Sequence, residues 1–258
     1  MIRRAPLIAI AALTGCAQFI SPPGPAMPDR PGYTDTPAAL PRNAIQLEAG
    51  YTDDRAGSTS YKTLGEMLLR VGVGARTEVR MFANSFGTLS EDGARTVSGM
   101  EDSKIGFKTS VRAKPDSVHS GLPNIAVLAA VTLPTGARAF RSSHAQPEAK
   151  VAMNWTTPTS LSIYSNVAAG GVYDGIRWRE RGWVSVALWY SVNPCISIFG
   201  EGISTRSLHA SALPSNDVDA GATYLINDRF QIDVRAGHGF GSASNSERFF
   251  GAGLARRW

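Results

Sequence analysis

Residues 217–240, DVDAGATYLINDRFQIDVRAGHGF, carry the pattern that most restricts the fold of this chain. They read as two extended runs joined by a polar turn at 227–229, and in the second run Gln231, Asp233 and Arg235 alternate with apolar residues. A period of two indicates a β-strand with one apolar face. An acid and a base on the other face suit a water-filled interior better than a packed soluble core. Hairpins that are apolar outside and polar inside are typical of a membrane β-barrel.

The same alternation continues from residue 43 to the last residue. It predicts an all-β fold, a single antiparallel transmembrane β-barrel of about twelve strands. Every proline beyond residue 42 falls in a predicted connection or at a strand start, which continuous ladder pairing requires. The predicted strands lie near 43–53, 60–73, 77–86, 102–113, 123–133, 148–156, 160–173, 180–192, 196–206, 217–226, 230–240 and 247–258.

The connections differ in length on the two sides of the predicted barrel. Links after even-numbered strands are mostly tight, as at 74–76 and 227–229, although the link at 114–122 is longer. Short periplasmic turns and longer extracellular loops are the bacterial outer-membrane pattern, and an even strand count places both barrel ends on the periplasmic side. The generally longer links after odd-numbered strands are 54–59, 87–101, 134–147, 174–179, 207–216 and 241–246.

Composition agrees with this class. No run of about 18 apolar residues predicts a transmembrane helix, and alternating strands would not produce one. The net charge of +5 is not gathered in a dense Lys/Arg run, so nucleic acid is not an expected partner. The expected surroundings are the lipids of a Gram-negative-type outer membrane.

Residues 1–20 resemble an export signal, with Arg3 and Arg4 before a mostly apolar run. The run ends in LTGC, which resembles a bacterial lipobox in which Cys16 is acylated and becomes the mature N-terminus. The alternative is an ordinary signal peptide cut after Ala17. Either alternative exports the protein, and leaves Cys195 without a cysteine partner in the chain.

Residues 21–42 hold seven of the fifteen prolines. Chain of this composition is extended and has no core of its own. We therefore predict a periplasmic linker at 21–42, between the leader at 1–20 and the barrel at 43–258.

The polar face of the predicted barrel carries charges of both signs. Acids and bases that face one lumen are expected to pair across it while partly solvated, with apolar rows such as Val184, Val186 and Leu188 facing outward. The expected lumen network consists of Glu66, Arg70, Glu78, Arg80, Lys104, Lys108, Glu148, Lys150, Glu201, Asp219, Asp233 and Arg235.

The chain ends in Trp258, with Phe250 and Leu254 on the same face of the last strand. A terminal aromatic residue on an alternating final strand resembles the assembly signal of outer-membrane barrels, which implies the barrel assembly machinery as a partner. Arg256 departs from that signal, but an arginine near the interface can extend its charge to water.

Several strand and turn patterns, taken in their order along the chain, resemble one family. VTLPTG closes an apolar strand at 131–136, IGFK lies at 105–108, DAGATY at 219–224 leads into NDR at 227–229, and FFGAGL begins the last strand at 249–254. Over roughly 43–258 the chain is similar to the outer-membrane proteins described as the "putative MetA-pathway of phenol degradation" family. The resemblance implies a transporter-like barrel that passes or binds small compounds, with aromatic compounds one candidate class.

Enzymatic chemistry has little support in the sequence. A lipid hydrolase on a barrel wall needs a Ser–His pair at hydrogen-bond distance, and Ser142 and Ser143 only neighbour His144 within a predicted loop. We expect no catalytic residues and no cofactor. We also expect no metal site, because no two histidines are close in sequence. The histidines are His119, His144, His209 and His238.

The loop at 134–147 is the best candidate for ligand contact. Its side chains could hold an anionic or aromatic ligand by charge and ring stacking. The alternative is a solvated surface loop, or one that touches lipopolysaccharide phosphates. The candidate residues are Arg138, Phe140, Arg141 and His144.

Together these features favour an outer-membrane channel or transporter-like barrel for small solutes. The alternative is a non-transporting structural or surface-binding barrel, because side chains can fill a small barrel. The sequence leaves open whether the lumen is open or plugged. An outer-membrane lipid hydrolase is the least favoured alternative.

Overall fold

The computed structural model describes residues 26–113, 121–207, 214–240 and 247–258. Within these ranges the chain forms fourteen β-strands. No helix in the described part of the chain is long and apolar enough to cross a membrane. The strands are β1 Ile45–Ala56, β2 Thr59–Gly72, β3 Thr77–Phe82, β4 Phe86–Glu91, β5 Val97–Met100, β6 Ser103–Arg112, β7 Asn124–Leu133, β8 Gln146–Thr156, β9 Leu161–Tyr173, β10 Trp178–Ser191, β11 Ile196–Ser207, β12 Ser215–Asn227, β13 Phe230–Phe240 and β14 Arg248–Arg257.

The strands close into one antiparallel barrel. β1 pairs with β14 on one side and with β2 on the other, so the sheet returns on itself. Between them the wall runs β13, β12, β11, β10, β9, β8, β7, β6 and β3. Closure gives hydrogen-bond partners to backbone groups that an open sheet edge would expose to lipid. The predicted single antiparallel barrel of about twelve strands is therefore confirmed.

Two wall positions are each divided into two strands. β3 pairs with residues 68–72 of β2, and β4 continues the same position against residues 59–64 of β2. β5 and β6 follow in the same way, with β5 against β4 and β6 against β3. The prediction of a loop at 87–101 is wrong, because most of these residues form the hairpin β4–β5. Gly93, with a φ of 75°, provides the left-handed residue in the hairpin turn.

A bulge in β2 accompanies this division. The pairing of β1 with β2 shifts register between Glu48 and Gly50, and on the facing strand Gly65 and Glu66 have φ values of 109° and 39°. A bulge bends a strand and changes the phase of its alternation. It keeps Glu66 on the lumen side and leaves Leu64, which is 61% exposed, on the outer face.

Two connections after odd-numbered predicted strands are shorter than predicted. The 54–59 link contracts to Gly57 and Ser58, and the 174–179 link contracts to residues 174–177. Asp174 makes the second turn compact by accepting hydrogen bonds from the backbone N–H groups of Ile176 and Arg177, each at 2.9 Å. The link at 134–145 stays long. Most of the predicted links at 114–122, 207–216 and 241–246 lies outside the described residues.

The barrel exposes apolar side chains and buries charged ones. Val186 and Leu188 on β10 are 47% and 49% exposed, whereas Arg70, Glu78 and Lys108 are fully buried inside. A soluble domain has the opposite distribution. Because the apolar surface is outside and the polar surface is inside, the chain is a transmembrane barrel of the outer-membrane type. Trp258 follows β14 and donates its backbone N–H to the Ile45 carbonyl at 2.9 Å, and Arg257 donates to the carbonyl of Arg229 in the tight β12–β13 turn at 2.9 Å. Because short turns lie at this rim, it is the periplasmic one.

Residues 26–42 lie inside the barrel, and we call them the lumen segment. The prediction of a periplasmic linker over this range is therefore wrong for the described residues 26–42. The prolines do keep the segment out of the sheet, as expected. Charged side chains of the barrel wall bind its polar groups, so the segment is held in one position although it has no core of its own.

The lumen segment enters and leaves at the periplasmic rim. Its first described residue, Ala26, donates its backbone N–H to Asp228 in the β12–β13 turn at 2.7 Å. The segment then rises to a tip at residues 30–34 and returns to Pro41 beside Gly72 at the end of β2. A side chain at position 72 would overlap the Pro41 carbonyl, so this contact requires glycine.

Candidate functional site

One carboxylate, that of Asp29, joins the lumen segment to three wall strands. Lys108 on β6 donates to its two oxygens at 2.9 and 2.8 Å, Arg70 on β2 lies 3.3 Å away, and Arg80 on β3 forms a closer ion pair. Asp29 also accepts the backbone N–H of Thr36 at 3.0 Å, which ties the ascending chain to the descending chain. These side chains are at most 6% exposed. The lumen segment thus supplies an acid to a group of buried bases.

The bases are shared with two acids of the wall. Arg70 donates to both oxygens of Glu78 at 2.8 and 2.9 Å and to Glu48 at 3.1 Å. Arg80 donates to Glu78 at 3.1 Å. Glu48 lies on the inward face of β1, where the alternation of the sequence places it. It also accepts the backbone N–H groups of Asp29 and Arg30 at 3.0 and 3.1 Å, which explains its complete burial.

A second carboxylate, that of Asp35, fixes the descending part of the lumen segment. It pairs with Arg80 at 3.0 Å and with Lys150 on β8. Asn166 on β9 binds the backbone of the same residue twice, accepting its N–H at 2.8 Å and donating to its carbonyl at 3.0 Å. Asp35 therefore connects β3, β8 and β9 through one position of the segment.

The tip of the lumen segment contacts side chains of β2, β11 and β13. Arg30 pairs with Glu66 at 2.5 Å and lies 3.6 Å from Asp233. The backbone N–H of Tyr33 donates to Glu201 at 2.6 Å. The Arg235 guanidinium lies 4.6 Å from the centroid of the Tyr33 ring, which is within cation–π range.

Wall side chains also bind the backbone of the segment. Arg70 donates to the carbonyls of Met27 and Ala38 at 2.8 and 3.2 Å, and Glu78 accepts the N–H of Leu40 at 2.6 Å. These bonds use donors and acceptors that a proline-rich chain cannot satisfy within itself. Removing one partner of such a buried, hydrogen-bonded ion pair costs about 3–5 kcal/mol, so the docked position is held firmly.

The charges of the wall also set the acidity of the segment. Burial raises the pKa of Asp29, but the positive charges of Arg70, Lys108 and Arg80 outweigh burial and hold that pKa well below the ordinary value. Burial likewise raises the pKa of Asp35, and Lys150 and Arg80 bring its net pKa below the ordinary value. Both groups are therefore ionised at neutral pH.

Acid should weaken docking through Asp29 only well below neutral pH. A lowered carboxyl pKa stabilises the docked segment fully above the ordinary pKa, and this stabilisation is lost as pH falls through the lowered pKa. We expect the difference in single-channel conductance between the unmodified protein and Asp29→Asn to be constant from pH 7 to about pH 4, where an ordinary aspartate titrates, and to shrink below it. Planar-bilayer recordings of both proteins at constant ionic strength would measure this. A change in that difference between pH 7 and pH 5 would contradict it.

The remaining residues of the predicted lumen network pair with one another. Lys104 on β6 donates to both oxygens of Glu148 on β8 at 3.0 Å. Arg235 lies 3.7 Å from Asp219, across β12 and β13. The structure therefore brings some predicted residues together as wall pairs and others through the lumen segment. The segment contacts Glu66, Arg70, Glu78, Arg80, Lys108, Lys150, Glu201, Asp233 and Arg235.

The four predicted ligand contacts in the 134–147 loop do not form one cluster. Phe140 packs toward the lumen side of the β4–β5 hairpin, with its ring centroid 6.2 Å from that of Tyr61. His144 instead contacts Tyr173 at the outer rim, with ring centroids 4.0 Å apart and the ring planes tilted by 41°. Both arginines of the loop, Arg138 and Arg141, are exposed.

The loop base is fixed by a carboxylate. Asp102 accepts the backbone N–H groups of Gly136 and Ser142, each at 2.8 Å. Ser143 Oγ lies 3.1 Å from His144 Nδ1, so one serine is within reach of a histidine ring. Both residues are exposed neighbours in the loop, which is a different arrangement from a pair held on the barrel wall. His119 and His209 lie outside the described residues, and His238 lies on β13.

Two cavities lie on opposite sides of Asp35 and its wall partners. The upper cavity is about 460 Å³ and is bounded by the segment tip together with charged wall residues such as Glu66, Lys104 and Arg235. The lower cavity is about 300 Å³ and lies between the descending segment and β6 to β9. Between them, Ala126 and Ala152 on the wall are completely buried. The lumen is thus divided rather than filled. Among the described residues no group of three or more His, Cys, Asp or Glu is arranged to hold a metal ion.

Three inward-facing aromatic residues were not identified from the sequence as lumen residues. They are Tyr164 on β9, Trp189 on β10 and Phe199 on β11. The alternation could have located Trp189, because Leu188 was placed outward and the next position must then face inward.

The sequence and the fold match known proteins as follows. A sequence model of the family described as "Putative MetA-pathway of phenol degradation" matches residues 28–258. No curated protein matches the sequence. The COG4313 outer membrane channel from Pseudomonas putida F1 is 14% identical, with a TM-score of 0.66 over 86% of this chain and 97% of that one.

Two porin structures are also similar. The NanC porin is 8% identical, with a TM-score of 0.57 over 82% of this chain and 98% of the porin. The KdgM porin, solved in complex with disordered oligogalacturonate, is 8% identical, with a TM-score of 0.54 over 83% of this chain and 98% of the porin. At these identities the likeness is one of fold.

Proposed function

This chain belongs to the family described as "Putative MetA-pathway of phenol degradation", and from that premise we propose that it is an outer-membrane channel for small solutes, with small aromatic compounds among them. The observation that carries the proposal is the divided lumen, with cavities of about 460 and 300 Å³ beside a segment that occupies only part of the cross-section. A barrel whose interior served only as a packed core would leave no such space.

The charged interior favours water-soluble, compact solutes. The upper cavity presents both acids and bases, so a permeating solute meets hydrogen-bonding groups of both signs. A segment held across the lumen restricts passage to molecules that fit beside it. We therefore expect single-ring compounds to pass and oligosaccharides to be excluded.

Liposome swelling would test this function. Vesicles containing the purified barrel should swell in isotonic sodium benzoate and should not swell in the trisaccharide raffinose. Vesicles that contain heat-denatured protein provide the control for lipid leakage. Absence of benzoate flux together with absence of any single-channel conductance would overturn the channel function.

A non-transporting structural barrel is the second candidate, and the lumen segment is the observation that favours it. Buried ion pairs at Asp29 and Asp35 could close the lumen as well as narrow it. The same swelling assay separates the two candidates, because a closed barrel passes neither solute. A surface-binding role would rest on the loop residues Arg138, Phe140, Arg141 and His144, which the structure distributes over two locations.

We do not infer hydrolysis. The pair formed by Ser143 and His144 lies in an exposed loop, and the histidine ring is engaged by Tyr173. Export by residues 1–20, lipidation at Cys16 and recognition of Trp258 by the barrel assembly machinery stay predictions. Residues 1–25 lie outside the described part of the chain.

A further inference from the structure

An aromatic row crosses the inner wall of the periplasmic half of the barrel. Tyr164, Trp189 and Phe199 project inward from the three adjacent strands β9, β10 and β11. The ring centroids of Tyr164 and Trp189 are 6.4 Å apart in an edge-to-face arrangement, and those of Trp189 and Phe199 are 4.7 Å apart and stacked. Inward positions of a transmembrane barrel are ordinarily polar, so an aromatic row there needs an explanation.

One end of the row is packed and the other is not. Phe199 is 5% exposed and lies over Gly221 on β12, where a side chain would overlap its ring. Tyr164 and Trp189 are only partly buried. The Tyr164 end lines the lower cavity. The row therefore runs from Phe199, whose ring is packed, to Tyr164, whose ring borders the lower cavity.

The lower cavity combines apolar walls with one positive charge. Met27, Pro37 and Ala38 of the lumen segment line it together with Tyr164 of the wall. Asn124 and Asn154 add amides, and Arg112 on β6 is the charged side chain among the described residues that line the cavity. A volume of about 300 Å³ is at the lower end of the range for small-molecule sites, which suits a single ring.

We propose that the lower cavity is a binding site for single-ring aromatic carboxylates. The ring lies against Tyr164 and the apolar side of the lumen segment, and the carboxylate pairs with Arg112. Guanidinium groups bind carboxylates through two parallel hydrogen bonds, and aromatic rings prefer edge-to-face or offset contacts with one another. This proposal rests on the proposed channel function. It adds the class of solute and the place in the lumen where the solute binds.

Binding can be measured directly on the purified, processed protein in detergent. Isothermal titration with 4-hydroxybenzoate should detect saturable binding by the unmodified protein. Tyr164→Leu should weaken it about tenfold, because the ring contact is lost, whereas Tyr164→Phe should stay within about twofold. Arg112→Gln should also weaken it about tenfold and remove the preference for 4-hydroxybenzoate over benzyl alcohol. The matched control is Tyr190→Leu, the same change on the lipid-facing side of β10.

The outcomes separate the site from the channel function. Equal affinities in the unmodified protein, Tyr164→Leu and Arg112→Gln would overturn the site, as would absence of binding by an unmodified protein that still conducts ions. Retained binding in a protein that passes no solute would overturn the channel function alone. Variants that do not fold are identified by gel electrophoresis, because only a folded barrel changes its mobility when the sample is heated. Tyr164→Phe and Arg112→Gln keep the proposal testable if Tyr164→Leu fails to fold.

Discussion

Deleting residues 26–40 is expected to raise the single-channel conductance severalfold. These residues occupy the lumen and divide it into two cavities, so their removal should join the cavities into one pore. An eight-stranded barrel leaves room for side chains or one small ligand, and a wall of twelve strands encloses more, so the freed space should fill with water. The barrel should still form, because the strand ladders close through β1, β2 and β14 without the segment. Planar-bilayer recordings in symmetric salt would give both conductances.

A disulfide lock provides the control for this deletion. Thr34 Oγ1 and Ser185 Oγ are 2.7 Å apart, so Thr34→Cys with Ser185→Cys, in a Cys195→Ser background, can join the segment to β10. We expect the oxidised protein to conduct as the unmodified protein does, because the cavities lie beside the docked segment. Loss of conductance on oxidation would mean that the segment must move for ions to pass. An unchanged conductance after the deletion would mean that the segment does not obstruct the lumen.

The barrel itself could be predicted from the sequence because its cause is local. Runs such as FQIDVRAG at 230–237 put apolar side chains toward lipid and polar ones toward the lumen, whatever strands stand beside them. The change of phase at Gly65 was not predicted. A uniform period of two puts Leu64 and Met67 on opposite faces, whereas the bulge in the structure leaves both outward.

The lumen segment could not be predicted in the same way, because its cause is not local. Prolines at 28, 31 and 37 show only that the chain avoids a ladder, and this holds equally for a linker in water and for a segment bound by side chains. What distinguishes the two is the position of Asp29 among Arg70, Arg80 and Lys108, which are separated from it by 41 to 79 residues. Mixed inward charges indicated a network of ion pairs in the lumen. They did not indicate that some of its carboxylates belong to the lumen segment.

Asp29→Asn should release the lumen segment more strongly than any other single change of charge in it. The substitution leaves Arg70, Arg80 and Lys108 with one carboxylate fewer in a site where every side chain is at most 6% exposed, and such a loss costs about 3–5 kcal/mol. A cysteine at Thr34, which is 6% exposed, would report release through its rate of reaction with a maleimide reagent in the Cys195→Ser background. Since about 1.4 kcal/mol corresponds to tenfold, the rate should rise by roughly 100-fold or more.

The same substitution elsewhere gives the control for Asp29→Asn. Asp53 pairs with Arg55 at 3.1 Å, but the arginine is 51% exposed, and solvent-exposed pairs contribute at most about 1 kcal/mol. Asp53→Asn lies away from the lumen segment and should change the rate less than twofold. Adding Lys108→Met to Asp29→Asn should restore part of the protection, because it removes one of the bases left without its partner. If the cysteine at position 34 reacts with maleimide at the same rate with and without Asp29→Asn, the ion pairs around Asp29 do not hold the segment in the lumen.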